Sequence, residues 1–117
     1  MTVFLRGRGK VQVENELEFA ALAFKLQALA ADESGTRTYR WFSEGSGTYV
    51  VLEEYEDVTA AIEHNQRAAD TLARLSDTVE ITEIELYGEI VPGFGEFAAA
   101  LPNAKVCREL VSPPSTD

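Results

Sequence analysis

Residues Thr36 to His64, TRTYRWFSEGSGTYVVLEEYEDVTAAIEH, read as strand, glycine turn, strand, acidic cap and amphipathic helix in unbroken succession. No other feature restricts the possible folds as much. Two runs rich in Val, Tyr, Trp, Phe and Thr, Thr36 to Ser43 and Thr48 to Glu56, flank Glu44-Gly45-Ser46-Gly47. Glycines there can take the positive φ that a short hairpin connection needs. Asp57 then stands as the N-cap of a helix running from Val58 to about Leu75.

The flanking sequence completes the pattern. A first strand is expected within Val3 to Val13, where Gly7 and Gly9 suggest a bulge or a loosened edge. Asn15 with Glu18 three residues later has the spacing of a reciprocal cap, and the helix it opens should reach about Ala31 before Asp32-Glu33-Ser34-Gly35 stops it. A fourth strand, Val79 to Tyr87, ends at Gly88. Its apolar residues Val79 and Ile81 are out of phase with Ile84 and Leu86, which predicts a bulge near Thr82 and Glu83. The order β-α-β-β-α-β predicts an α+β chain of ferredoxin-like topology with an antiparallel sheet. After Pro92 a short helix, Glu96 to Leu101, and an extended segment, Ala104 to Val111, are expected to follow. Residues 1–111 then form one domain and 112–117 a flexible tail.

Charge and cysteine content narrow the function classes. Twenty acidic against ten basic residues give a net charge of -10, which repels phosphate backbones and disfavours nucleic acid or an anionic membrane as partner. One cysteine, Cys107, cannot close an internal disulfide, and one cysteine with one histidine cannot alone build a tetrahedral zinc site. No metal is therefore expected. The start MTVFLRGRGK reverses the order of a secretory signal, and no apolar run has the length of a membrane span, so a cytoplasmic location is expected.

Periodicity then picks out polar residues in apolar settings. The first helix carries two apolar stripes, Phe19, Leu22, Leu26 and Leu29 on one side and Leu17, Ala21, Phe24 and Ala28 nearly opposite. The first stripe should pack on the sheet, leaving the second for a C-terminal helix or a second subunit. In the second helix Val58, Ala61, Ile62, Ala69 and Leu72 should face inward, with Asn65 in their midst and His64 at the edge. On the strand before it, Glu53 and Glu54 are adjacent, so one of the two must point inward. An inward carboxylate must be paired, hydrogen-bonded or protonated, and with a raised pKa it can act as a general base. Tyr49 and Tyr55 share the Glu53 face, while Tyr39 and Trp41 share a face with Arg37 on the neighbouring strand. Core packing accounts for such aromatics; an aromatic pocket edged by a carboxylate and an amide is the alternative.

The runs ESGTRTYRWF, VVLEEYEDVTAAIEH and IELYG resemble the antibiotic biosynthesis monooxygenase family of dimeric α/β barrels over about residues 10 to 90. Glu53, Tyr55, Asp57 and His64 match the family's run of glutamate, aromatic, cap and helix, with Tyr55 where tryptophan often stands. The resemblance implies a homodimer whose sheets face each other. It also implies oxygenation of a small electron-rich aromatic (a phenol, hydroquinone or polyketide-like ring) without cofactor. Glu53 or His64 would be the catalytic base, and Tyr39, Trp41, Tyr55 and Asn65 would bind the substrate. The haem-degrading relatives need a histidine further along the second helix, where this chain has Ala73 and Arg74. A polyketide cyclase or isomerase, and a non-catalytic dimeric ligand-binding protein, remain the alternatives.

Overall fold

The computed structural model describes residues 2–88, 93–101 and 103–110. Its elements are β1 (Val3–Lys10), a 3-10 turn (Val13–Asn15), α1 (Glu16–Ala31), β2 (Thr36–Gly45), β3 (Thr48–Tyr55), α2 (Val58–Arg67), α3 (Ala69–Ser76), β4 (Glu80–Gly88), α4 (Phe94–Ala99) and β5 (Lys105–Arg108). The five strands form one open sheet in the order β2-β3-β1-β4-β5. The first four are antiparallel to their neighbours, which is the ferredoxin-like arrangement, whereas β5 joins β4 in parallel. Val111 and the expected tail 112–117 lie outside the described residues.

The described helices cover one face of the sheet only. Phe19, Leu22 and Leu26 of α1 are buried there, each burial being worth about 1.5–3 kcal/mol. Phe19 meets Trp41 edge-on and leans on Tyr49, which ties α1 to the β2–β3 hairpin. Among the described residues the second stripe of α1 stays uncovered, with Leu17 89% and Phe24 70% exposed. On the open face of the sheet Phe4, Phe42 and Leu52 remain exposed. The hairpin turns through three residues of positive φ, Gly45, Ser46 and Gly47.

Several expectations need correction. β1 is the central strand rather than a loosened edge: Gly9 is required because a Cβ there would lie 2.6 Å from Val79 Cγ2 and 2.9 Å from the Glu80 carbonyl oxygen. The bulge expected near Thr82 and Glu83 is present opposite it, where the register steps from Arg8↔Glu83 to Gly9↔Ile81 and passes over Thr82. Asn15 makes no side-chain cap, because it already has helical φ and ψ as the end of the 3-10 turn. Asp57 does cap α2, accepting the Ala60 N–H at 2.8 Å.

The second helix is not continuous. At Ala68 (φ -94°, ψ 3°) it bends into α2 and α3. Hydrogen bonds from Ala68 N–H to His64 and from Leu72 N–H to Ala68 cross the bend intact. The apolar face shifts with it, so Ala68 is buried where Ala69 was expected, and Ala69 is exposed. α4 begins two residues earlier than expected, at Phe94, with Phe94 and Phe97 buried.

Candidate functional site

Alternation along β3 puts Tyr49, Val51, Glu53 and Tyr55 under the helices and Val50, Leu52 and Glu54 on the open face. Glu54 is satisfied there by the Thr38 hydroxyl, which donates at 3.0 Å. Glu53 points the other way. The register fixes its surroundings, since it pairs with Tyr39 on β2 and with Leu5 on β1. The Tyr55 hydroxyl donates to Glu53 Oε1.

Above this carboxyl lies a cavity of about 280 Å³ between the sheet and α2–α3, lined by Tyr39, Trp41, Glu53 and Asn65 together with apolar side chains including Leu72, Leu75 and Ile84. Burial pushes the Glu53 carboxyl up to about 7, partly countered by the Tyr55 hydrogen bond. Burial and the nearby Glu53 charge hold the Tyr39 phenol well above its ordinary value. The same two causes raise Tyr55. Among these three groups the carboxyl alone titrates near neutral pH, so it is the one able to exchange a proton with a bound molecule.

His64 is 2% exposed, and its ring packs against Tyr39 and Tyr55 with centroids 5.0 and 5.6 Å away. Its Nδ1–H donates to Glu33 Oε1 at 2.6 Å, and its Nε2 is buried without a partner among the described residues. Glu33 also accepts from the Thr36 hydroxyl at 2.8 Å and from Arg67 Nη1 at 3.1 Å. Burial alone would raise the Glu33 carboxyl, but donation by His64, Thr36 and Arg67 outweighs it and holds the group below the usual carboxylate range. This cluster borders a separate cleft of about 300 Å³ near the end of α1.

Four of the six candidate residues, Tyr39, Trp41, Glu53 and Asn65, therefore line one cavity. Tyr55 reaches the cavity through Glu53, and His64 stands behind the two tyrosines, facing Glu33. Glu33 is the residue that sequence reasoning missed, taken for part of a helix stop. The signal available was the buried histidine itself, which needs an orienting partner, but the partner lies 31 positions away. Among the described residues no group of three or more His, Cys, Asp or Glu side chains is placed to hold a metal ion. None of the described helices is long and apolar enough to cross a membrane.

Comparison with known proteins agrees with this architecture. MupZ from Pseudomonas fluorescens superposes with a TM-score of 0.77 at 17% identity, covering 99% of this chain and 98% of that one, so the likeness runs on through α4 and β5. SnoaB from Streptomyces nogalater, a cofactor-independent oxygenase, gives a TM-score of 0.63 at 18% identity over 73% of this chain and 89% of its own. A conserved protein from Methanosarcina mazei Go1 gives 0.68 at 22% identity, over 74% and 91%. No curated protein sequence matches significantly. The family model of antibiotic biosynthesis monooxygenases matches residues 2–71, which take in β1, the hairpin with Glu53 and the whole of α2, and the chain belongs to that family.

Proposed function

We propose that the protein is a cofactor-independent monooxygenase of a small electron-rich phenol or hydroquinone, with Glu53 as the base. The observation that carries this is the Glu53 carboxyl lining a cavity with Tyr39, Trp41 and Asn65, where burial pushes it up to about 7. Glu53 takes the substrate's hydroxyl proton; the resulting aryl oxide gives one electron to dioxygen, and the radical pair combines at a ring carbon as a peroxide anion, which takes the proton back from Glu53 to become the hydroperoxide. Collapse of the hydroperoxide expels water and leaves the quinone, so a phenol with a free para position plus O₂ gives quinone plus H₂O. The electrons come from the substrate. The cavity's part is to exclude water, orient the ring with Tyr39, Trp41 and Asn65, and remove the proton. His64, held by Glu33, supports the two tyrosines from behind.

Oxygen uptake with a panel of hydroquinones and naphthols, without added cofactor, tests this. Uptake that requires the protein and is lost in Glu53→Gln supports the reading; saturable binding without uptake overturns it and leaves a ligand-binding protein. A second reading is an isomerase or cyclase, favoured by one feature: a carboxyl half-protonated near pH 7 can donate a proton as readily as accept one. Product formation under strict anaerobiosis distinguishes it.

The open face, with Phe4, Phe42 and Leu52 exposed beside one another's strands, supports a homodimer in which two sheets meet. Sedimentation should give about twice the 12.9 kDa chain mass. A monomer at micromolar concentration would remove this reading.

A further inference from the structure

The cavity has an orientation. Glu53 sits toward its β2 end: Tyr39 is its direct cross-strand partner, and Trp41, opposite Val51, is its diagonal neighbour. At the other end the lining residues Ser76 and Ile81 are exposed and mark the mouth. Trp41 also lines a second space, a groove of about 180 Å³ on the outer side, between α1 and the hairpin, with Phe19, Ala23, Phe24 and Tyr49. Trp41 is thus common to the linings of the two.

Trp41 is held through both its ring and its backbone. Phe19 meets the indole edge-on at 5.2 Å, and the Trp41 backbone N–H, on an edge strand where it has no further strand to bond, donates to Gln27 Oε1 of α1 at 3.0 Å.

Building on the reading of the cavity as the substrate site, we propose that Trp41 is the specificity-determining residue, restricting the substrate to one- or two-ring phenols whose rings extend away from the hydroxyl in one direction. Size sets the first limit. A cavity of about 150 Å³ holds benzene, so the 280 Å³ here suits about two fused rings. Orientation sets the second. A phenol with its hydroxyl on Glu53 must send its ring toward β4 and the mouth, because Trp41 occupies the space that a ring fused on the far side of the hydroxyl-bearing carbon would need. Shortening the indole joins the cavity to the outer groove, which is already lined by apolar and aromatic side chains.

The probes are 2-naphthol, whose second ring points away from the hydroxyl, and 9-phenanthrol, with fused rings on both sides of it, measured by calorimetry on the full chain. The wild type should bind 2-naphthol at least about tenfold more tightly than 9-phenanthrol, the scale of discrimination a steric pocket supplies. Trp41→Ala removes a ring contact from both probes, so the readout is their ratio: the preference for 2-naphthol over 9-phenanthrol should fall about tenfold or more. Trp41→Leu, which keeps more of the packing against Phe19, should shift in the same direction and serves if the alanine variant does not fold. Binding of 2-naphthol with an unchanged ratio in both variants overturns the role of Trp41 and leaves the cavity reading standing. Failure of both probes to bind any form overturns both.

Discussion

The Glu53 carboxyl makes the protein's stability depend on pH with a sign opposite to that of most carboxylates. Its ordinary value of 4.5 rises to about 7 in the folded chain, so between those values the folded form holds a proton that the unfolded form has released. Stability therefore falls as pH rises from about 4.5 and stops falling once pH passes about 7, when both forms are ionised. A shift from 4.5 to about 7, at 1.36 kcal/mol per pH unit, costs the ionised fold about 3 kcal/mol. Water entering the cavity reduces that figure, which makes it an upper bound.

Glu53→Gln isolates the effect, because the amide keeps an acceptor for the Tyr55 hydroxyl and cannot ionise. Urea unfolding of both proteins at pH 5, 6, 7 and 8, at one fixed protein concentration so that any association contributes equally, gives the difference directly. The other 19 acidic residues are common to both proteins and cancel in that difference. The variant should gain on the wild type by up to about 3 kcal/mol between pH 5 and pH 8, most of it between pH 5 and 7. A difference constant within about 0.5 kcal/mol across the series would mean that Glu53 titrates as an exposed carboxyl, and the base assigned to the cavity would be lost.

Two further substitutions separate holding from reacting. Glu33→Gln removes the carboxylate that receives His64, Thr36 and Arg67. It should destabilise by about 1–3 kcal/mol at neutral pH. Because the folded pKa of Glu33 is depressed, that contribution is complete above 4.5 and disappears as pH falls through the folded value, so the two proteins should converge in acid; a constant gap in thermal or urea unfolding across that range would contradict the depressed carboxyl. Asn65→Leu places an apolar group where the amide now lines the cavity. Affinity for 2-naphthol should fall about tenfold with less than about 1 kcal/mol change in stability; loss of about 1–3 kcal/mol with affinity intact would assign Asn65 to the fold.

The parts of the structure that were legible in the sequence are those determined by near neighbours. The hairpin with its glycines, the Asp57 cap and the Thr82 bulge each follow from residues within a few positions of one another. The adjacency of Glu53 and Glu54 requires one inward carboxylate, but which of them it is depends on β3 pairing Leu5 with Glu53, a contact made across most of the first half of the chain. The same holds for Gly9, read as a sign of a bulge or a loosened edge: the register does shift there, but the need for glycine comes from the approach of Val79 and the Glu80 carbonyl. The bend at Ala68 has no proline or glycine to announce it.

Two carboxylates in partly enclosed settings show why the site was harder to read than the fold. Nothing in the local sequence distinguishes Glu33 from Glu53 as a potential base. The difference is in the number of donors each meets after folding. Glu33 meets three, two of them on side chains from α2, and its charge is stabilised beyond its desolvation cost. Glu53 meets one phenolic donor, which is too little to offset burial. A fully solvated ion pair would make Glu33 an ordinary surface acid, and a second donor at Glu53 would hold it ionised and weakly basic. The fold thus treats the two carboxyls differently: Glu33 is tied into a structural network around His64, and Glu53 is left with the raised proton affinity that the proposed reaction asks of a base.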